Sequence, residues 1–260
     1  MPLIRRLAVA LAAPCLLAAV WWWVSRTGLV PPYLLPSPSA VGVALGGYIL
    51  GRPGGDAFAG RFLVDLVASL VRAGCGFALA AAVGLPLGIL CGRTPLLARA
   101  LAPLVDGLRS VPGICWLPLA LVWFGIGFGA TLFLVALAAF FPIYLNAAAG
   151  AAGVPPILPQ AGAMLGLSPA AVFFKVVLPA AMPSLRTGLR LGLGVSFAYL
   201  VLGELTGVSD GLGAMVMDAR LTGRVDMILT GIVLLAVLGW LADLLLRLAL
   251  RAAFISARRS

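Results

Sequence analysis

Long apolar runs alternate with short polar or Pro/Gly-rich breaks along this chain, and the runs have the length of membrane helices. They fall at about 7–24, 63–91, 102–124, 129–150, 185–207 and 226–248. A helix needs about 20 predominantly apolar residues to cross the hydrocarbon layer, so the pattern predicts six transmembrane helices in an all-α polytopic membrane protein. The first run follows Arg5 and Arg6, contains Pro14 and ends in Trp21, Trp22 and Trp23. A cleaved signal would end in small residues, whereas tryptophans at a lipid–water boundary mark a retained span. From 25 to 61 the chain turns polar, through Pro31-Pro32, Leu34-Leu35-Pro36-Ser37-Pro38 and Gly51-Arg52-Pro53-Gly54-Gly55. This reads as an external loop holding a short helix over about 39–50, with Ser39 as its cap.

Composition agrees with the pattern. Of 260 residues, 63% are apolar and 10% charged, with a mean hydropathy of +1.15, against roughly 25% charged in soluble domains. Basic residues outnumber acidic ones 18 to 8, but they stand at the ends of apolar runs and form no stripe, so topology and not nucleic-acid binding accounts for them. Arg93, Arg99, Lys175, Arg186, Arg190, Arg247, Arg251, Arg258 and Arg259 fall on the side of Arg5 and Arg6. The other side receives Arg26, Arg52, Arg61, Arg220 and Arg224 with Asp56, Asp210, Asp218 and Asp226. The basic excess places both termini in the cytoplasm. Three units follow: a first helix with its external loop at 1–61, a transmembrane core at 62–250, and a basic tail at 251–260.

The chain has no histidine, which removes the commonest metal ligand and proton shuttle, and no metal site is expected. Cys15, Cys75, Cys91 and Cys115 are dispersed in apolar runs, without C-x-x-C spacing, and read as packing residues. No phosphate-binding G-x-x-x-x-G-K-[ST] loop occurs. Gly84-x3-Gly88-x3-Gly92, Gly125-x3-Gly129, Gly188-x3-Gly192 and Gly203-x3-Gly207 offer small faces for close helix packing.

The segment between the fourth and fifth spans, about 151–184, departs from the pattern. A short helix from near Ile157 ends at Gly166, which suits a left-handed cap. Ser168 then fits an N-cap and Pro169 the first helical position. A second short helix carries Phe173 and Phe174 and is stopped by Leu178-Pro179. Two short helices on the cytoplasmic side make a knob suited to docking against a partner.

The same segment resembles the EAA loop of ABC-importer permeases, E-A-A-x3-G-x9-I-x-L-P. Gln160-Ala161-Gly162, Gly166 and Val176-x-Leu178-Pro179 match its spacing without a gap. Gln160 replaces the family glutamate and Gly162 an alanine. Leu34-Leu35-Pro36-Ser37-Pro38, Ser69-Leu70-x-Arg72-x3-Gly76-Phe77, Arg109-x2-Pro112, Phe140-Phe141-Pro142-x3-Asn146 and Gly203-Glu204 are similar to the nitrate/sulfonate/taurine group. The resemblance implies a type I importer transmembrane domain in the bacterial inner membrane, paired with a second permease copy as a homodimer. It further implies two cytoplasmic ATPase subunits seated on the loop at 155–179, and a periplasmic binding protein that delivers the solute. ATP and Mg would be bound by the ATPase subunits, with no cofactor and no catalysis in this chain. The expected cargo is a small organic or inorganic anion, with a vitamin precursor as an alternative within the class.

Among intramembrane polar residues, Glu204 (the single glutamate) suits a gate or loop-ordering role and equally an interfacial position. Arg109, beside the Val111-Pro112 bend, faces the pathway or snorkels to the surface, and Asp106 is placed to pair with it at i, i+3. Asn146 lines the path or bonds across helices. Asp65 and Arg72 share one helix face and read as positional. An ion-gradient-driven secondary transporter is the competing class.

Overall fold

The computed structural model describes residues 3–51 and 56–257. The side chains of Arg5, Arg6 and Pro14, the 52–55 turn with Arg52, and Arg258 and Arg259 lie outside what it describes. Among the described residues all regular elements are helical: α1 (Leu3–Thr27), α2 (Pro38–Leu50), α3 (Phe62–Arg93), α4 (Pro95–Ser110), α5 (Leu117–Phe124), α6 (Phe128–Ala152), α7 (Ile157–Met164), α8 (Pro169–Val172), α9 (Leu178–Glu204), α10 (Leu212–Leu221) and α11 (Val225–Ala257).

Among the described residues, four helices have the length and hydropathy of a membrane span: Phe62–Arg93, Phe128–Ala152, Pro169–Glu204 and Val225–Ala252. The predicted third span is not straight: Pro95–Ser110 and Gly113–Phe124 meet at 92°. Pro112 is the cause. It forces the residue before it out of the helical region, and Val111 is extended at φ −74°, ψ 120°. A short 3₁₀ turn, Gly113–Trp116, then leads into α5. The predicted first span is helical over 25 residues, and its tip is fixed by the Trp21 indole donating to the Pro36 carbonyl at 3.0 Å. The basic tail predicted from 251 is a continuation of α11 as far as Ala257.

Two helix starts and stops differ from expectation. The cap of α2 is Ser37 and not Ser39: Ser37 Oγ accepts the Ala40 N–H at 3.2 Å, with Pro38 in the first turn, and a proline at that position costs no hydrogen bond. Leu178-Pro179 does not stop the second knob helix. Phe173–Val177 forms a π turn in which Leu178 N–H reaches the Phe173 carbonyl, and Leu178 is helical at φ −62°. In an α ladder the Pro179 ring would collide with the carbonyl of Lys175; the wider turn before it removes that conflict.

The core is a three-helix slab with α6 between α3 and α9. Both outer helices turn glycines toward α6, as the small-residue spacing suggests. A Cβ built on Gly88 would lie 2.5 Å from the Tyr144 carbonyl oxygen, and one on Gly192 would lie 2.8 Å from Ile143 Cγ1. Gly125 and Gly127 serve differently, in the turn that enters α6. At the end of the slab away from α7 and α8, α2, α10 and α11 close over Tyr48, Phe58, Leu212, Met215 and Met227. The α2 helix of the predicted N-terminal unit therefore packs with the core.

Candidate functional site

The first site is the knob. After α7 the chain forms a two-bond cap: Gly166 N–H donates to Ala163 at 3.0 Å and Leu167 N–H to Gly162 at 3.1 Å. Gly166 is left-handed at φ +81°, which L side chains avoid. Ser168 Oγ accepts the Ala171 N–H at 3.3 Å with Pro169 at the next position, so the second helix restarts at once. Gly162 is buried where the two helices meet, beneath Val172, Leu167 and Val176. Gln160 and Ala161 are exposed, and the Gln160 side chain makes no hydrogen bond among the described residues. At the tip, Met164 and Leu165 are 89% and 83% exposed, a hydrophobic pair that the motif spacing alone did not single out. Val176 is half-buried, and Leu178 and Pro179 stand at the junction with α9. A cavity of about 740 Å³ separates the knob from the C-terminal end of α3, between Leu85, Ile89, Ala163, Phe173 and Leu178.

A second site gathers around Glu204, and the sequence reading names most of its members without bringing them together. Glu204, Asp65 and Ser69 are fully buried and Arg72 is 7% exposed. Ser69 Oγ and Arg72 Nη1 each donate to the Glu204 carboxylate at 2.9 Å. Arg72 also donates to the Asp210 carbonyl at 2.7 Å and pairs with the Asp210 carboxylate. Three successive backbone N–H groups at the start of α10 are taken by three side chains from other helices. Gly211 donates to Asp65 Oδ1 at 2.9 Å, Leu212 to Ser69 Oγ at 2.9 Å, and Gly213 to Glu204 Oε2 at 2.8 Å. Helix N-termini leave such donors unpaired and attract negative charge. Tyr48 closes the cluster by donating to Asp65 Oδ2 at 2.7 Å; burial, and this bond, push its phenol above the ordinary range. The signal was present as Asp65, Ser69 and Arg72, spaced four and three apart on one face of α3.

The remaining candidates are not drawn together. Arg109 is half-exposed on α4 and pairs with Asp106 at 2.9 Å. Pro112 makes the 92° bend. Asn146 bonds across no helix: its Nδ2 donates to the Pro142 carbonyl of its own helix at 2.8 Å, and its Cβ faces Gly188 of α9. Glu204 lies at the end of α9 away from the knob.

Residues 84–254 match the family model described as "binding-protein-dependent transport system inner membrane component". The chain belongs to this family. As a member it is the permease component of a binding-protein-dependent ABC importer, and the ion-gradient class is set aside. It is similar to the taurine transport system permease protein of Escherichia coli (strain K12), at 37% identity over 95% of this chain and 88% of that protein. A relative in Bacillus subtilis (strain 168), named for aliphatic sulfonates transport, is 36% identical over 92% and 83%. In fold the permease is similar to a solved MetNI methionine ABC transporter chain, at TM-score 0.65 and 24% identity over 74% of this chain and 95% of that one. The matched region begins at Gly84, so it contains the knob and Glu204 but not Asp65, Ser69 or Arg72.

Proposed function

We propose that two copies of this permease enclose the translocation path for a small anion, a sulfonate such as taurine or an inorganic anion such as nitrate. The observation that carries this is the broken span. Irregular backbone at membrane depth is tolerated only where protein buries it or water reaches it, yet residues 109–112 are exposed in the single chain. A second copy enclosing a wet path supplies both conditions. Arg109 and Pro112 then stand at its wall, with a cationic side chain suited to an anion. The relatives named for taurine and aliphatic sulfonates transport support the cargo class.

Separate ATPase subunits, which bind ATP and Mg, seat on the knob through Gln160, Ala161, Gly166, Met164 and Leu165, and both termini lie on their side of the membrane. A binding protein delivers the solute to the opposite side. The knob continues into α9 without a break, so its displacement tilts that helix and switches access.

Cys115, exposed in the 3₁₀ turn beyond Pro112, is a built-in reporter once Cys15, Cys75 and Cys91 are replaced by serine. In proteoliposomes of the complete importer, an anionic membrane-impermeant thiol reagent should label Cys115, and loaded binding protein with ATP should change the rate. Labelling only by membrane-permeant reagents refutes the path. Failure of taurine, sulfonates and nitrate to be taken up or to compete refutes the cargo class.

A further inference from the structure

From the buried cluster at the outer end of α9 we infer that Arg72 and Glu204 are positioning residues that clamp the 205–211 segment and α10 to α3 and α9 together, making them one outer gate that moves as a unit.

The inference rests on the coupling assigned above and extends it to the far side of the membrane. Helix runs continuously from Pro169 to Glu204, 36 residues, or about 54 Å at about 1.5 Å per residue. One end of this rod is the knob. The other ends in a carboxylate with no exposure to solvent. Glu204 does not release the chain to a free loop, because its two oxygens hold Ser69, Arg72 and the Gly213 N–H. The fit is close: Gly211 stands at φ +120°, and a Cβ there would lie 2.5 Å from Glu204 Oε1. Arg72 adds the outer anchor through the carbonyl and carboxylate of Asp210, and Arg61 donates to the Ser209 carbonyl at 2.9 Å.

A buried ion pair of this kind is a poor means of raising stability, because well-packed apolar residues commonly do as well. It does fix one geometry, since any other arrangement of α9 and α10 leaves a buried charge unpaired. Arg72 Nε lacks a partner while buried, so the pairing of the guanidinium rests on Nη1 and Nη2 alone. Displacement of α9 therefore carries the outer end of α3 and α10 with it, or opens the cluster to water, because Asp65, Ser69 and Arg72 of α3 hold α10 from the other side. The 205–210 segment, where Gly207 and Ser209 are exposed, and the α10 helix behind it are the parts that would open and close the outer entrance.

The test uses the complete importer, with its ATPase and binding protein, in proteoliposomes. Ser209, exposed in the clamped segment, is replaced by cysteine in a background free of other cysteines and labelled from outside with and without ATP. In the otherwise native chain the labelling rate should change with nucleotide. In Arg72→Met the change should vanish and the solute moved per ATP hydrolysed should fall by about tenfold or more, while hydrolysis continues. Arg72→Lys should restore part of the coupling. If Arg72→Met does not assemble, Asp210→Ala, which removes the side-chain acceptor of the outer anchor and leaves Glu204 paired with Arg72, decides by the same readout. A nucleotide-dependent label that survives in these variants, or uptake and hydrolysis that decline in parallel, overturns the clamp. If the native chain itself shows no ATP-driven uptake, the coupling reading fails instead.

Discussion

Two alanine substitutions four residues apart in the knob should act in opposite directions. At Gly162, inside α7, a Cβ would lie 3.4 Å from Val172 Cγ2 and 3.5 Å from Leu167 Cδ1 and Val176 Cγ2, which is ordinary contact. Gly162→Ala therefore adds packing and removes the conformational freedom of glycine, for a gain of about 0.5–1 kcal/mol. At Gly166 a Cβ meets nothing within 4 Å, but φ is +81°. Gly166→Ala forces the left-handed region and costs about 1–2 kcal/mol. The two variants thus differ by about 1.5–3 kcal/mol. At about 1.4 kcal/mol per factor of ten, amide exchange in the cap should differ between them by about 10- to 100-fold. Hydrogen exchange of the Leu165, Gly166 and Leu167 amides, which donate to Ala161, Ala163 and Gly162, reads this local opening directly. Equal protection in both variants, or faster exchange in Gly162→Ala than in the native chain, would refute the assigned geometry of the knob. Retention of the ATPase on purification should follow the same order.

Gly88→Ala sets a Cβ 2.5 Å from the Tyr144 carbonyl oxygen and should cost about 1–3 kcal/mol by overpacking; Gly74→Ala, with open space around it, should leave the melting temperature unchanged or higher. Arg109→Ala breaks a half-exposed pair and should shift stability by less than about 1 kcal/mol. Arg72→Ala strands buried Glu204 and should cost about 3–5 kcal/mol, visible as lost assembled protein. Tyr48→Phe deprives Asp65 of a donor and should cost about 1–3 kcal/mol. Because the folded Tyr48 pKa is raised, that contribution is complete below pH of about 10 and lost as pH rises through the folded value. Thermal inactivation of the phenylalanine variant should lack this alkaline loss.

The spans and the knob were legible because local rules govern them. Run length marks a membrane helix, and Gly166, Ser168 and Pro169 each carry a backbone preference that acts within a few residues. The break at Val111-Pro112 was legible for the same reason, though the 92° turn was not, since a proline fixes its neighbour's torsions and not the path of the next helix. Leu178-Pro179 misled. A proline stops an α ladder, and nothing in the local sequence announces the π turn that accommodates it. The cluster around Glu204 was hidden for a different reason. Its partners stand 135 and 132 residues away, at Ser69 and Arg72, and pairing over such separations follows from how α3 and α9 pack on α6. From the chain alone Glu204 suits a gate or loop-ordering role and an interfacial position equally, and Asp65 and Arg72 read as positional, with nothing to join the three.

The π turn at Phe173–Val177 also bears on the angular phase of α9. Its ladder closes over five residues where an α turn closes over four, so it carries one surplus residue between the knob and α9. Each residue of an α-helix advances the face by about 100°. Deleting the surplus residue would restore a regular ladder at Pro179's expense and leave the phase nearly unchanged, because the wider turn absorbs that residue locally. Deleting one residue between Leu178 and Gly188, in the regular part of α9, would instead rotate everything beyond it by about that angle relative to the knob. The glycine face of α9 would leave α6, Glu204 would swing away from Arg72, and an importer carrying that deletion should fail at the end far from the knob although every residue there is intact.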